Sequence, residues 1–432
     1  VARAAADREE IRAAQGVAAA ATVLTVIPVF GIAAFLFGTR SATFAAGVFA
    51  TLPLVVRTGA DALAGSVHLL ALTLGMWALV AVLAESAATN GTIRRSLVAL
   101  SGGAALGLAL LARPDAAVLF AVWTAAFGVS CVFGYTVWRN RPWRRAATVW
   151  LTVVCGVAAV QGPLTLIRGS QGASLTTVLG TRAPTAEYVL LNALETVRPD
   201  VSTTAAWTAV GPQSIPLPRA ALPDKDSGIA LLFSGWRAAV IEFLRESATA
   251  LLAPTMLLAV VAGVNRRMRW FRHAPELFAV LTVAGLSAAA LVAANRWGYL
   301  SARHLLPLLP PVCAYAGRGV VVSGRRITTY CRRLVTGKSR GAWLPRAAIR
   351  FGQCSPARWQ AALALSVLGV CFVRSFPAPH ASHRAYRDCG KWLAATGAND
   401  ALVLDTRGWT ALYSGLPTYR YDAAAQAYAH PA

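Results

Sequence analysis

The sequence predicts an all-α polytopic membrane bundle of about ten transmembrane helices, with a long extracytoplasmic segment and a small extracytoplasmic α/β tail. Three observations predict it. Of 432 residues, 56% are hydrophobic and 14% charged, whereas soluble globules are about 25% charged. Mean hydropathy is +0.53. Apolar runs close to the roughly 20 residues that cross a hydrocarbon core recur along the chain, and basic residues gather between alternate runs.

The runs fall at 16–37, 43–56, 66–83, 96–112, 116–138, 148–167, 247–264, 276–294, 304–322 and 359–374. The second is short, which suits a helix that stops inside the protein rather than crossing fully. Four regions follow. Residues 1–167 and 247–374 form two groups of membrane helices, 168–246 an outer segment, and 375–432 an outer tail. Within 168–246 the sequence predicts a helix near Ala186–Val197, a proline-rich stretch at 212–223, and an amphipathic run at 229–245 leading into the next span. In the tail, Ser382–Ala395 reads as a helix closed by Gly397, Ala401–Asp405 as a strand, and Gly408–Ser414 as a second helix.

The net charge of +23 would suit a nucleic-acid partner, but its distribution excludes one. With the first span running inward, Arg40, Arg94, Arg95, Arg139, Arg141, Arg144, Arg145, Arg266, Arg267, Arg269 and Arg272 face the cytoplasm. The basic inner loop 323–358 lies on the same side. The short outer connections carry Arg57, Arg113, Arg296 and Arg303, and every acid but Glu85 and Glu276 falls outside. That asymmetry is the positive-inside pattern of a multi-pass plasma (inner) membrane protein. In this topology the polar stretch Asp7–Arg12 lies outside, so the expectation is that at least one helix precedes Val1 and that the tail continues past Ala432.

Several motifs carry no chemistry. The seven cysteines are scattered with no paired spacing, which predicts neither a disulfide framework nor a thiolate metal site. Thr336-Gly337-Lys338-Ser339 resembles the end of a phosphate-binding loop, but Arg332 occupies the earlier glycine position and no strand precedes it. No HExxH or comparable ligand spacing is present, so no cofactor is identified. A divalent cation bridging a carboxylate and a phosphate stays open.

Arg303-His304-Leu305-Leu306-Pro307-Leu308-Leu309-Pro310 sets a permanent cation and an imidazole at the mouth of an apolar span, where charge is rarely kept without a role. Together with Thr58-Gly59-Ala60-Asp61-Ala62-Leu63, Ala112-Arg113-Pro114-Asp115, Val403-Leu404-Asp405-Thr406 and Tyr413-Ser414-Gly415, in that order along the chain, it resembles the GT-C glycosyltransferases. Within them the resemblance is to the bacterial branch related to protein O-mannosyltransferases and lipid A aminoarabinose transferases. It implies an enzyme that transfers a sugar from a polyprenyl-phosphate donor to a lipid, glycan or protein acceptor outside the membrane, with inversion. The family's main carboxylate sits in its first outer loop, which here would precede Val1. Where relatives often carry an aromatic residue, commonly Tyr, this chain has His304.

The residue chemistry suits that scheme. A lipid phosphate gains negative charge as the glycosidic bond breaks, so its site needs fixed cations at the outer boundary. Arg303 is the first candidate, with Arg113 and Arg57 opening on the same side, His304 as a hydrogen-bond donor, and Asp61 and Asp115 supporting the acceptor. Each has a plainer reading. Arg303 and Arg296 sit where interfacial arginines snorkel. Asp61 stands four residues after Arg57, as a helical ion pair would. Asp115 favours a helix start, and His68 reads as a hydrogen-bonded core histidine. From other classes, a transporter or lipid-linked-sugar flippase and a non-catalytic scaffold share the many spans, but a transporter places its charges nearer the midplane on broken helices.

Overall fold

A chain this apolar must satisfy its backbone N–H and C=O groups internally wherever lipid surrounds it, and helices do so locally. The computed structural model describes residues 2–60, 65–84, 92–113, 116–132, 142–168, 228–266, 273–297, 300–336, 354–375, 384–396, 403–404 and 418–419. In chain order the helices are α1 (Ala2–Phe37), α2 (Thr39–Thr51), α3 (Pro53–Ala60), α4 (Gly65–Ala84), α5 (Thr92–Ala112), α6 (Ala116–Val132) and α7 (Pro142–Arg168). After them come α8 (Gly228–Leu251), α9 (Ala253–Arg266), α10 (Ala274–Trp297), a 3-10 segment (Ala302–Leu308), α11 (Leu309–Thr336), α12 (Pro356–Ser375) and α13 (Arg384–Ala395).

Among the described residues six helices are long and apolar enough to cross a membrane, or eight if each of two bent pairs is one span. The shorter apolar helices Ala116–Val132 and Ala147–Pro163 complete a set matching the ten runs of the sequence. The chain is a polytopic helical membrane bundle. Many of its buried hydroxyls are turned back onto their own helices: Thr22, Thr25, Thr73, Ser130 and Thr282 each donate to the carbonyl four residues earlier.

Two of the predicted spans are not single helices. Run 43–56 is α2 and α3, bent by 55° at Leu52, whose extended backbone (φ −61°, ψ 129°) is what a following proline imposes. Pro53 then opens α3, a position where its missing N–H costs nothing. Run 247–264 divides more sharply: α8 continues the amphipathic stretch through Leu251, and α9 leaves at 101°. Leu252 at the corner has a left-handed φ of 59°, and Pro254 cannot donate to the Ala250 carbonyl or pass its ring. In the other direction α11 runs to Thr336, well into the stretch that the sequence assigns to the basic loop.

Small residues set how closely the helices approach. A Cβ on Gly103 would run into the Val153 carbonyl, and one on Gly156 into the Leu100 carbonyl, so α5 and α7 touch backbone to backbone. Central α11 meets α2 at Gly317, against the Ser41 carbonyl, and α9 at Gly319, against the Leu258 carbonyl. One apolar cluster centres on α4, α5 and α6 and includes fully buried Trp123, stacked on Phe127 at 5.0 Å. A second joins α2, α3, α8, α10, α11 and α12 to Leu305, Leu306 and Leu308 of the 3-10 segment.

In the tail, helix α13 precedes β1 (Val403–Leu404), which pairs in parallel with β2 (Thr418–Tyr419), Val403 opposite Thr418. A parallel pair needs a crossover of about a dozen residues, which the intervening chain supplies. The predicted helices at Ala186–Val197 and Gly408–Ser414 lie outside the described residues.

Candidate functional site

Proline shapes the element at the centre of the site. Pro307 lacks an N–H and Pro310 and Pro311 follow it, so the chain after Ser301 winds as a tight 3-10 segment before α11 begins at Leu309. Leu305, Leu306, Pro307 and Leu308 are buried in the second cluster, while Arg303 stays exposed. The start of the segment is closed by its own side chains. The Ser301 N–H donates to His304 Nδ1 at 3.1 Å, the Ser301 hydroxyl lies 3.1 Å from the same nitrogen, and the His304 N–H donates to the Ser301 carbonyl at 2.9 Å. Because Nδ1 accepts a main-chain N–H, the neutral ring carries its proton on Nε2 and is a donor there.

Arg113, just past the end of α5, reaches this turn: its Nη1 donates to the Arg303 carbonyl at 3.1 Å. The last turn of α5 is itself held. The Ala109 carbonyl accepts the Arg113 N–H at 2.9 Å, and the fully buried His68 of α4 places Nδ1 3.1 Å from that carbonyl. His68 thus supports the base of Arg113 within the core.

Arg57 is exposed in the last turn of α3. Its neighbour Thr58 is buried and its carbonyl accepts the Ser66 hydroxyl at 2.8 Å. A Cβ on Gly65 would lie 3.6 Å from Thr58 Cγ2 and 3.7 Å from Leu306 Cδ1, so the end of α3 and the start of α4 close on the 3-10 segment. A Cβ on Gly59 would come within 3.1 Å of Thr22 Oγ1, which shows how tightly α3 lies on α1.

The structure therefore brings Arg113 directly to Arg303 and His304, and sets the helix end bearing Arg57 against the same segment. Asp61 and Asp115 lie outside the described residues, as does the side chain of Arg296 at the end of α10. Among the described residues no group of three or more His, Cys, Asp or Glu side chains is close enough to hold a metal ion.

One carboxylate was missed by sequence reasoning. Glu246 of α8 is half-buried on a helix that packs against the 3-10 segment. The signal was present: Ala239, Phe243, Glu246 and Ala250 share one face of the amphipathic run, so this acid stands where apolar residues would face inward.

No protein-family model and no curated protein matches the chain. Solved structures do. ArnT from Cupriavidus metallidurans in the apo state aligns over 93% of this chain and 70% of its own, at 12% identity and a TM-score of 0.51. The same protein bound to undecaprenyl phosphate aligns over 97% and 74%, at 12% identity and a TM-score of 0.46. The apo oligosaccharyltransferase of Archaeoglobus fulgidus aligns over 94% and 53%, at 15% identity and a TM-score of 0.44. The chain thus spans about half the length of the archaeal structure. At such identity the likeness to apo ArnT shows the fold, a polytopic membrane bundle.

Proposed function

We propose that this chain is the membrane part of a GT-C-type glycosyltransferase that moves a sugar from a polyprenyl-phosphate donor to an acceptor at the extracytoplasmic face. The observation that carries the reading is the Arg113 guanidinium on the Arg303 carbonyl, which joins cationic residues from separate helices at one end of the bundle. The ordered motifs and the ArnT-like fold support it.

In the reaction so read, the acceptor attacks the anomeric carbon opposite the leaving phosphate. The carbon–oxygen bond to phosphate breaks, its electron pair passes to the phosphate oxygen, and a singly charged diester becomes a lipid monophosphate with an added negative charge. Arg303, Arg113 and Arg57 are the groups that would meet that charge, most strongly where lipid keeps the dielectric low. His304, with its proton on Nε2, supplies a neutral donor. Asp61 and Asp115 serve the acceptor side, and the acceptor's proton passes to a carboxylate as the new bond forms. Donor lipid enters sideways from the bilayer.

The two bent helix pairs also suit a carrier of lipid-linked sugars, since transporters build sites on broken helices. One experiment separates the readings. The complete protein, in lipid nanodiscs, is offered a panel of radiolabelled polyprenyl-phosphate monosaccharides with envelope lipid, glycan and protein acceptors. Release of free polyprenyl phosphate with inverted sugar on the acceptor supports the enzyme. Movement of intact donor across sealed vesicles without release supports the carrier.

A further inference from the structure

Helix α11 runs from the 3-10 turn to the opposite end of the bundle and does not stop with its neighbours. A Cβ on Gly319 would meet the Leu258 carbonyl, and seven residues further along both helices Arg326 Nη2 donates to Asn265 Oδ1 at 2.9 Å. Helix α9 therefore runs beside α11 in the same direction and ends there, at Arg266. Helix α12 begins at the same level: a Cβ on Gly324 would meet Gln360, whose Nε2 donates to the Val321 carbonyl at 3.2 Å. Yet α11 continues to Thr336, about 15 Å past Arg326.

The continuing part has one charged face. At about 100° per residue, Arg325, Arg326, Thr329, Tyr330, Arg332 and Arg333 fall on one side, and all six are exposed. Gly324 and Thr328, on the other side, are buried. The Thr329 hydroxyl is turned back onto the Arg325 carbonyl at 3.0 Å, which leaves arginine and Tyr330 to set the chemistry of the face. Glu276, the described acid at this end, is buried at the start of α10, so the exposed surface there is basic.

That face borders an apolar one. On α9, Leu257, Val260 and Val264 are 65%, 59% and 58% exposed and form a stripe that leads to Asn265 and so to Arg326. Tyr330, 64% exposed, is of the type that settles at headgroup level, with its ring toward the apolar side and its hydroxyl toward water. An apolar stripe ending at a group of arginines complements a molecule with acyl chains and an anionic head. A soluble anion would leave the stripe uncovered.

We infer that this end of the bundle binds an anionic phospholipid of the leaflet opposite Arg303. Its phosphate is held by Arg325, Arg326, Arg332 and Arg333, and its acyl chains lie along Leu257, Val260 and Val264. Arginine forks match phosphate oxygens, and four or more basic residues on a helix at a membrane boundary draw anionic lipid. The surface lies far from the 3-10 turn, so it stands or falls separately from the sugar-transfer reading.

The test uses the complete protein in neutral detergent, stripped of lipid, with its thermal midpoint followed as phosphatidylglycerol, phosphatidylcholine or inorganic phosphate is added; the rise in midpoint gives an apparent Kd. Arg325→Gln/Arg333→Gln removes two charges of the face and leaves Arg326 on Asn265. It is expected to weaken phosphatidylglycerol binding about thirtyfold, the combined effect of two arginines near an anionic surface. Arg325→Lys/Arg333→Lys keeps the charge and stays within about threefold of wild type, and the effect shrinks as salt is raised. The control Arg12→Gln/Arg374→Gln, exposed positions on α1 and α12 that lie off this face, stays within about twofold. A glutamine pair that binds phosphatidylglycerol like wild type overturns the inference. So does a control pair that loses as much, since the effect would then be one of net charge alone. Phosphatidylcholine or inorganic phosphate acting as strongly as phosphatidylglycerol overturns it too, the first because the charge would be idle and the second because the lipid would be. If the glutamine pair does not fold, Arg325→Gln and Arg333→Gln are read singly, at about fivefold each.

Discussion

Replacing Arg303 by alanine tests the electrostatic claim while keeping the main-chain contact that the residue makes. Arg113 holds the Arg303 carbonyl, a main-chain acceptor that alanine keeps. Leu305, Leu306 and Leu308, which anchor the segment, are untouched. An exposed substitution of this kind changes folding stability by no more than about 0.5 kcal/mol. The catalytic effect is much larger if the guanidinium faces the phosphate. Unit charges about 4 Å apart at an effective dielectric near 20 interact by about 4 kcal/mol. Removing one preorganised donor from a developing oxyanion costs about 2.7–4 kcal/mol elsewhere, or about a hundred- to thousandfold in kcat. Transfer of radiolabelled sugar in single-turnover mode, with the thermal midpoint recorded alongside, measures both quantities. Arg303→Lys keeps the charge but not the fork and falls between wild type and alanine. An alanine variant with an unshifted midpoint and turnover within about threefold of wild type would refute the assignment of Arg303 to the phosphate.

Gly103→Leu should force α5 from α7, since a Cβ there already meets the Val153 carbonyl, and lower stability by about 1–3 kcal/mol in a detergent thermal melt; Gly128→Ala, where nothing lies within 4 Å, is the neutral control. His68→Phe removes the contact with the Ala109 carbonyl beneath Arg113 and should cost about 1–3 kcal/mol by the same melt, with weaker binding of undecaprenyl phosphate. Leu252→Val places a β-branched side chain at φ 59° and should destabilise by about 1–2 kcal/mol, whereas a valine as stable as leucine would mean that the corner is not left-handed.

The bundle was legible because lipid makes the apolar run and the helix nearly the same object. Each of the ten runs lies on helix where its residues are described, but 43–56, whose shortness suggested a helix that stops inside the protein, is a bent pair of helices. The corner at Leu252 was hidden. Pro254 stood in the sequence as a possible break, but composition around it is uniformly apolar, and only packing of α8 onto the 3-10 segment decides the direction in which the chain leaves. Arg303, Arg113 and Arg57 were legible as cations at span ends. Nothing in their spacing tells that Arg113 addresses the Arg303 backbone rather than an acid, because a contact 190 residues apart depends on helix order. Glu246 was overlooked for the opposite reason: periodicity weights apolar residues, and one carboxylate among them reads as noise until α8 is seen packed against the 3-10 segment.

The polar groups of the site share one physical origin, which is the place where a membrane helix is broken. Pro53 ends the straight run of α2 and re-aims α3, whose last turn carries Arg57. The Leu252 corner before Pro254 turns α8 by 101° from α9 and lays α8 against the 3-10 segment. Pro307 keeps that segment from continuing as regular α-helix, so its first turn shows N–H and carbonyl groups that a regular helix would consume. A straight bundle would have buried or lipid-exposed all three positions, and lipid cannot solvate an arginine or a glutamate. Breaking the helices at one common end instead lets backbone and side chain satisfy each other there, as Arg113 does on the Arg303 carbonyl. The turn that carries Arg303 is thereby held through its main chain at that end of the bundle.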